Sequence, residues 1–204
     1  MQGDIDRVVI DRGQIAQRVE AMARELASDL EHDLRATGHA PDESGQVMLV
    51  PILTGSLVFV ADLIRHLPMK LSLEMVAVTS YPGQATQSRG AKMRGELPQN
   101  LRGKHVVVID DILDSGRTLA LVKHLVQEQG PATIRTCVLL DKPARREAPL
   151  RADYVGFEIE DLFVVGYGLD FDGFYRNLPD IVALRGEVAL RGEAGAGSAA
   201  GERA

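Results

Sequence analysis

The thirteen residues Val106-Val107-Val108-Ile109-Asp110-Asp111-Ile112-Leu113-Asp114-Ser115-Gly116-Arg117-Thr118 carry the densest chemistry in the chain. Four apolar β-formers place Asp110 and Asp111 at the carboxyl end of a buried parallel strand, the edge where open α/β sheets bind ligands. Two adjacent carboxylates there are costly unless a cation, a metal-bound diol or a basic residue offsets them. Asp114-Ser115-Gly116-Arg117-Thr118 then enters a helix, whose first backbone N–H groups and positive dipole end face outward. Ser115 and Thr118 add hydroxyl donors, and Gly116 permits close backbone approach. The ligand expected at this turn is a phosphate monoester. An ordinary cap, with Asp114 or Ser115 capping the helix and the acids exposed, is the plainer account of any one residue but not of the whole string. The glycine spacings of a Walker loop and of a dinucleotide fingerprint are missing. Asp110-Asp111 also lacks the Asp-x-Asp spacing of aspartyl-nucleophile phosphatases.

The elements that must hold this string read as an α/β sheet. Gln14 to Arg35 predicts a helix, because Ile15, Val19, Met22, Leu26 and Leu30 recur at three- and four-residue steps. Val47–Leu53 is a strand buried on both faces and ends in Thr54-Gly55-Ser56. A second helix follows, with Leu57, Val60, Ala61 and Ile64 inward and an end at Pro68. Leu71–Ser80 alternates as a strand, and Tyr81–Gly95 reads as a long mobile loop. Lys104–Ile109, a loop over Asp110–Gly116, a helix over Arg117–Gln129 with Leu121, Leu125 and Val126 inward, and a strand over Ala132–Leu140 make a βαβ unit with parallel pairing. Tyr154–Phe157, Phe163–Gly166 and Ile181–Leu184 predict further short strands.

Composition narrows the class. At 204 residues the chain predicts one domain, over about 1–185. Residues 186–204 hold 11 Gly or Ala among 19 and predict a disordered tail. The longest apolar runs fall far short of the ~20 residues a membrane span needs. The opening residues carry Asp4, Asp6 and Arg7 rather than a basic-then-apolar leader, and one cysteine, Cys137, fits a reducing compartment, so a cytoplasmic protein is expected. The net charge of −6 argues against a broad nucleic-acid footprint. Of 23 basic residues 18 are Arg, the type suited to bidentate phosphate or carboxylate contacts. Seven of nine aromatic residues lie between Tyr154 and Tyr175, a cluster that a core alone would spread more evenly.

The Val106–Thr118 string resembles the phosphoribosyl-pyrophosphate (PRPP) signature of the type I phosphoribosyltransferases, with every position met. Leu53-Thr54-Gly55-Ser56 and the Phe59–Leu63 that follows resemble that family's pyrophosphate loop and its helix. Ser80-Tyr81, opening a stretch with Thr86, Ser88 and Gly90, resembles its catalytic flexible loop; Pro82 is an extra residue there. Leu140-Asp141-Lys142, Tyr154–Ile159, Phe163–Asp170 and Tyr175–Pro179 resemble the purine-binding half of its hypoxanthine and hypoxanthine-guanine members. The likeness covers about residues 5–185.

The resemblance implies a central, mostly parallel sheet flanked by helices, with a small hood from about residues 1–12 and 154–185. It implies transfer of ribose 5-phosphate from PRPP to N9 of a 6-oxopurine, with Mg2+, in a homodimer or homotetramer. Asp110 and Asp111 would bind the ribose hydroxyls directly or through Mg2+. Asp114, Ser115, Gly116, Arg117 and Thr118 would grip the 5′-phosphate, with Asp114 also the base or acceptor at purine N7. Lys142 would donate to O6, Phe163 would stack on the base, and the Val164 backbone would read its edge. Asp170 would lie near a second Mg2+ and the purine edge. Thr54, Gly55 and Arg176 would face the pyrophosphate. The family usually has Lys or Arg where Thr54 stands, so the backbone is what this loop offers. A non-catalytic regulatory protein of the same fold, binding nucleotides or RNA, is the alternative. Lys142, Phe163 and Arg176, together with the acidic balance, favour the enzyme.

Overall fold

A computed structural model of the chain describes residues 2–79, 92–94 and 98–186. Ten strands and three α-helices follow in the order β1 (Ile5–Ile10), α1 (Arg12–Ala36), β2 (Val47–Leu53), α2 (Leu57–Leu63), β3 (Leu71–Leu73), β4 (Val76–Thr79), β5 (Lys92–Arg94), β6 (His105–Leu113), α3 (Arg117–Gln127), β7 (Thr133–Asp141), β8 (Tyr154–Glu158), β9 (Val164–Val165) and β10 (Ile181–Leu184). The large sheet runs β5-β4-β2-β6-β7-β8, with β3 also on β2. Every pairing in it is parallel except β4 with β5. A separate antiparallel sheet, β1-β10-β9, forms the hood.

The two faces of the large sheet bury different helices. Val47 and Leu49 of β2 join Val107 and Ile109 of β6 in the core that receives α1 and α2. Met48, Val50, Val106 and Val108 face the other way, toward Leu119, Val122 and Val126 of α3. That is why both strands read as unbroken apolar runs. Helix α1 begins at Arg12 rather than Gln14, because Asp11 accepts from the Gly13 and Gln14 N–H groups and the Gln14 side chain returns the bond in a capping box.

Several expectations are corrected. Helix α2 buries Phe59, Val60 and Leu63, whereas Leu57 is exposed. Two apolar stripes overlap on that helix, and the one holding the bulky phenylalanine wins the core. Helix α3 likewise buries Leu119 and Val122 ahead of Leu121 and Leu125. The strand expected over Leu71–Ser80 is split at Glu74-Met75 into β3 and β4. Strand β6 does not stop at Ile109 but pairs with β7 as far as Leu113, opposite Asp141. Tyr154–Glu158, expected in the hood, pairs with β7 in the large sheet. Within the stretch expected as a loop, Lys92–Arg94 is a strand. Ser80, Tyr81 and the tail from 187 lie outside the described residues. Among the described residues no helix is long and apolar enough to cross a membrane.

Candidate active site

The carboxyl ends of β2 and β6 open into one cleft of about 430 Å³. The structure brings Thr54, Gly55, Asp110, Asp111, Asp114, Ser115, Gly116, Thr118, Asp170 and Arg176 together as its lining. These residues come from three stretches of sequence. Parallel pairing of Pro51 with Ile109 sets the ends of β2 and β6 side by side, which closes the distance.

Asp110 is buried and Asp111 half-buried. The Asp111 N–H donates to Asp110 Oδ1 at 3.0 Å. Burial first, and the Asp111 charge second, push the Asp110 carboxyl well above its ordinary range. Burial also raises Asp111, against a smaller opposite effect of the Arg176 charge. Among the described residues neither carboxylate has an ion-pair partner. A hard divalent cation fits such an oxygen pair, since it removes the cost of two neighbouring charges away from water. No cluster of three or more His, Cys, Asp or Glu side chains able to hold a metal exists among the described residues, so ligand and water oxygens would complete the shell.

Gly55 packs directly on this pair. A Cβ at Gly55 would lie 1.6 Å from Asp111 Oδ2, so only glycine lets the loop approach the acid this closely. The peptide bond entering the loop, Leu53–Thr54, is cis.

The turn after β6 is built by Gly116, which takes φ +83° and stands at the N-cap of α3. The N-cap glycine has no side chain to cap with, and Ser115 Oγ accepts from the Arg117 N–H at 3.4 Å. Ser115 thus takes part of the plain capping role through one long bond, whereas the Asp114 carboxylate bonds no helix amide. Asp114 Oδ2 lies 3.5 Å from Arg145 Nη1, while Asp114 Oδ1 is buried with no hydrogen-bond partner among the described residues. An unpartnered buried acceptor at the mouth of a cleft awaits a donor. The Arg117 side chain turns out to Glu147 at 2.5 Å, and this residue does not line the cleft.

Lys142, Phe163 and Val164 do not line the cleft; they adjoin it. The Lys142 N–H donates to the Leu113 carbonyl at 3.0 Å, which places the residue beside the turn. Its side chain is only 5% exposed, and Nζ donates to the Leu162 carbonyl at 2.6 Å, next to Phe163. Burial lowers the Lys142 pKa, and the Asp114 charge opposes that. Phe163 is 41% exposed and meets Phe171 edge-on at 5.2 Å, so it is not a core aromatic. Val164 is buried in β9. Asp170 is already engaged, Oδ1 with Arg176 at 2.8 Å and Oδ2 with the Gly173 N–H at 2.8 Å. Arg176 also donates to the Gly168 carbonyl at 2.7 Å.

The aromatic cluster divides on inspection. Tyr154 bonds Asp29 and Tyr167 bonds Asp62, both as structural braces, and Tyr175 bonds Asp4. Sequence reasoning missed the segment Arg145–Ala148, which lies against the back of the phosphate turn. Its one visible signal is a pair of arginines three residues after Lys142.

Comparison with known proteins agrees with this geometry. The family model described as phosphoribosyl transferase domain matches residues 11–172. A hypoxanthine-guanine phosphoribosyltransferase of Bacillus subtilis is 36% identical over 188 residues, 92% of this chain and 98% of the relative. A solved hypoxanthine phosphoribosyltransferase of Staphylococcus aureus superposes with a TM-score of 0.80 at 36% identity, over 92% of this chain and 96% of that one. A Trypanosoma cruzi hypoxanthine phosphoribosyltransferase variant, solved in a ternary complex with substrates, gives a TM-score of 0.82 at 35% identity, over 92% and 99%. The chain belongs to the phosphoribosyltransferase family, among its hypoxanthine and hypoxanthine-guanine members.

Proposed function

We propose that the protein transfers the 5-phosphoribosyl group of PRPP to N9 of hypoxanthine and guanine, giving IMP or GMP and pyrophosphate. The observation that carries this reading is the meeting, in one cleft, of a glycine loop packed on an acid pair and a helix start with glycine at its N-cap. Each part suits one part of PRPP. The first amides of α3 suit the 5′-phosphate. Asp110 and Asp111 suit the ribose hydroxyls, and Mg2+ held by that pair would neutralise charge on the leaving pyrophosphate. The Thr54-Gly55 backbone and Arg176 suit the pyrophosphate itself. Asp170 takes a second Mg2+ or the purine edge only by loosening its pair with Arg176.

In the transfer the bond from C1′ to the pyrophosphate oxygen breaks and the N9–C1′ bond forms. Through a transition state of oxocarbenium character, the base must be held in line and its imidazole proton removed. The unpartnered Asp114 Oδ1 suits that acceptor role at N7. Lys142 Nζ, exchanging Leu162 for the purine, would donate to O6. Adenine presents a donor there and would leave the lysine unpaired, which disfavours it. Phe163, free on one face, would stack on the base. Ser80, Tyr81 and the rest of their loop would cover the reacting atoms and exclude water. The working unit is a homodimer or homotetramer.

The test is an initial-rate assay with PRPP and Mg2+ on hypoxanthine, guanine, xanthine and adenine separately. Turnover on the first two is expected. No turnover on any base would overturn the reading, and preference for adenine would overturn the role of Lys142.

A further inference from the structure

Arg146 does not line the cleft and meets Asp114 only at its main-chain carbonyl, yet it ties the two sides of the cleft together. Its side chain is largely buried and its planar fork is almost fully used. Nε donates to the Asp114 carbonyl at 3.0 Å, Nη1 to the Leu150 carbonyl at 2.7 Å and Nη2 to the Leu113 carbonyl at 3.1 Å. Nη2 also meets the Asp141 carboxylate. Leu113 and Asp114 lead into the phosphate turn, and Asp141 precedes Lys142. The next two residues complete the clasp, because the Glu147 and Ala148 N–H groups both donate to the Ser115 carbonyl at 3.0 Å.

These bonds have a directional consequence. In a trans peptide the carbonyl and the following N–H point opposite ways. Holding the Asp114 carbonyl toward Arg146 therefore turns the Ser115 N–H away from it. Holding the Ser115 carbonyl toward Glu147 and Ala148 turns the Gly116 N–H away likewise. Ser115 and Gly116 line the cleft, whereas Arg146 and Ala148 line a separate cavity behind the turn. Anchoring the carbonyls at the back thus presents two amides at the front.

We infer that Arg146 is a positioning residue: it aims the Ser115 and Gly116 amides at the 5′-phosphate and holds Lys142 in register with them through Asp141. The inference rests on the proposed transfer reaction. Lysine cannot replace it, since an ammonium is a point charge and cannot reach three carbonyls and a carboxylate in one plane. The amides would bind the phosphate equally in ground and transition states, so their loss should appear in KM rather than kcat.

The experiment compares wild type, Arg146→Lys and Arg146→Met by thermal melting, by the dissociation constant of ribose 5-phosphate, and by steady-state kinetics with hypoxanthine. In both variants the ribose 5-phosphate dissociation constant and the KM for PRPP should rise at least ~10-fold, with kcat within ~3-fold. Arg146→Lys, which retains the Asp141 ion pair, should melt closer to wild type than Arg146→Met. A folded variant with a lowered Tm but both constants within twofold of wild type would overturn the inference. So would failure of both variants to fold, since the arginine would then be a plain structural strut. Wild-type turnover in the same series tests the reaction separately, and sugar-phosphate binding reads the clasp without it.

Discussion

Gly55→Ala is the sharpest perturbation the cleft offers. The backbone at Gly55 is not left-handed, so alanine is conformationally allowed there, and the conflict is purely one of space. The new Cβ would lie 1.6 Å from Asp111 Oδ2 and 2.4 Å from its Cγ. Real Cβ contacts essentially never fall below 3.0 Å, so the carboxylate or the loop must shift by more than an ångström. The obstructing atoms are the tip of a side chain, so the fold should absorb the change with a Tm loss of only a few degrees. The site should not absorb it. A ~1 Å misplacement of a positioned group costs ~10²-fold, equivalent to about 2.7 kcal/mol at 1.36 kcal/mol per tenfold. The assay is an initial-rate series in PRPP at saturating hypoxanthine with Mg2+, beside a melting curve. Gly3→Ala is the control, since a Cβ there meets nothing within 4 Å. A Gly55→Ala enzyme within threefold of wild type in kcat/KM for PRPP would refute the contact between loop and acid. A large loss of Tm without that kinetic loss would refute it equally.

Three further outcomes are expected. Asp114→Asn should lower turnover at least ~10²-fold with little loss of stability, because its carboxylate caps no helix; near-normal turnover would remove it as the base. Phe163→Ala should raise the KM for hypoxanthine about tenfold while melting near wild type. A drop in stability of ~3–5 kcal/mol would mark Phe163 as a core residue instead. His105 is buried between Thr37 and Thr133, and burial holds its imidazole below the ordinary value of 6.5. The unfolded chain therefore binds a proton at a pH where the folded one does not. Stability should fall as pH drops through about 6.5, with a slope approaching ~1.4 kcal/mol per pH unit. Urea midpoints at pH 7.5 and 5.5 should differ less in His105→Gln than in wild type, and an equal difference would exclude the histidine as the source.

What the sequence disclosed depended on whether side-chain pattern or backbone contact set the structure. Helix α1 was legible because its apolar period sits on one face only. Strands β2 and β6 were legible because burial on both faces demands unbroken apolar runs. The last turn of that logic failed at Asp110–Leu113, where the ladder to β7 continues on backbone bonds that are indifferent to acidic side chains. Helix α2 misled because two apolar stripes share Val60, and volume rather than period chose between them. That Asp110, Asp111 and the turn after them share a cleft was legible from local spacing, whereas Lys142 and Phe163, named from resemblance, only adjoin it. The clasp at Arg145–Ala148 was not, since its bonds run from an ordinary polar loop to main-chain carbonyls that have no residue signature. Nor did the motif reveal why Gly55 must be glycine. The reason is a carboxylate more than fifty positions away.

The charge of the cleft bears on the form in which its ligand arrives. Asp110, Asp111 and Asp114 face it, and PRPP is itself a polyanion. Arg176, the cation among the lining residues, is already spent on Asp170 and the Gly168 carbonyl. Thr54 is uncharged, so the Thr54-Gly55 loop adds no charge of its own. A bare polyanion would meet buried carboxylates that cannot all stay ionised beside it. Arg145 lies 3.5 Å from Asp114, but among the described residues no cation pairs with Asp110 or Asp111, so the charge that offsets them is expected to enter with the ligand. Under the proposed reaction the cleft suits a metal complex of PRPP better than free PRPP. The acid pair that looked costly at the strand end would then favour that complex, and PRPP binding measured with and without Mg2+ is expected to show it.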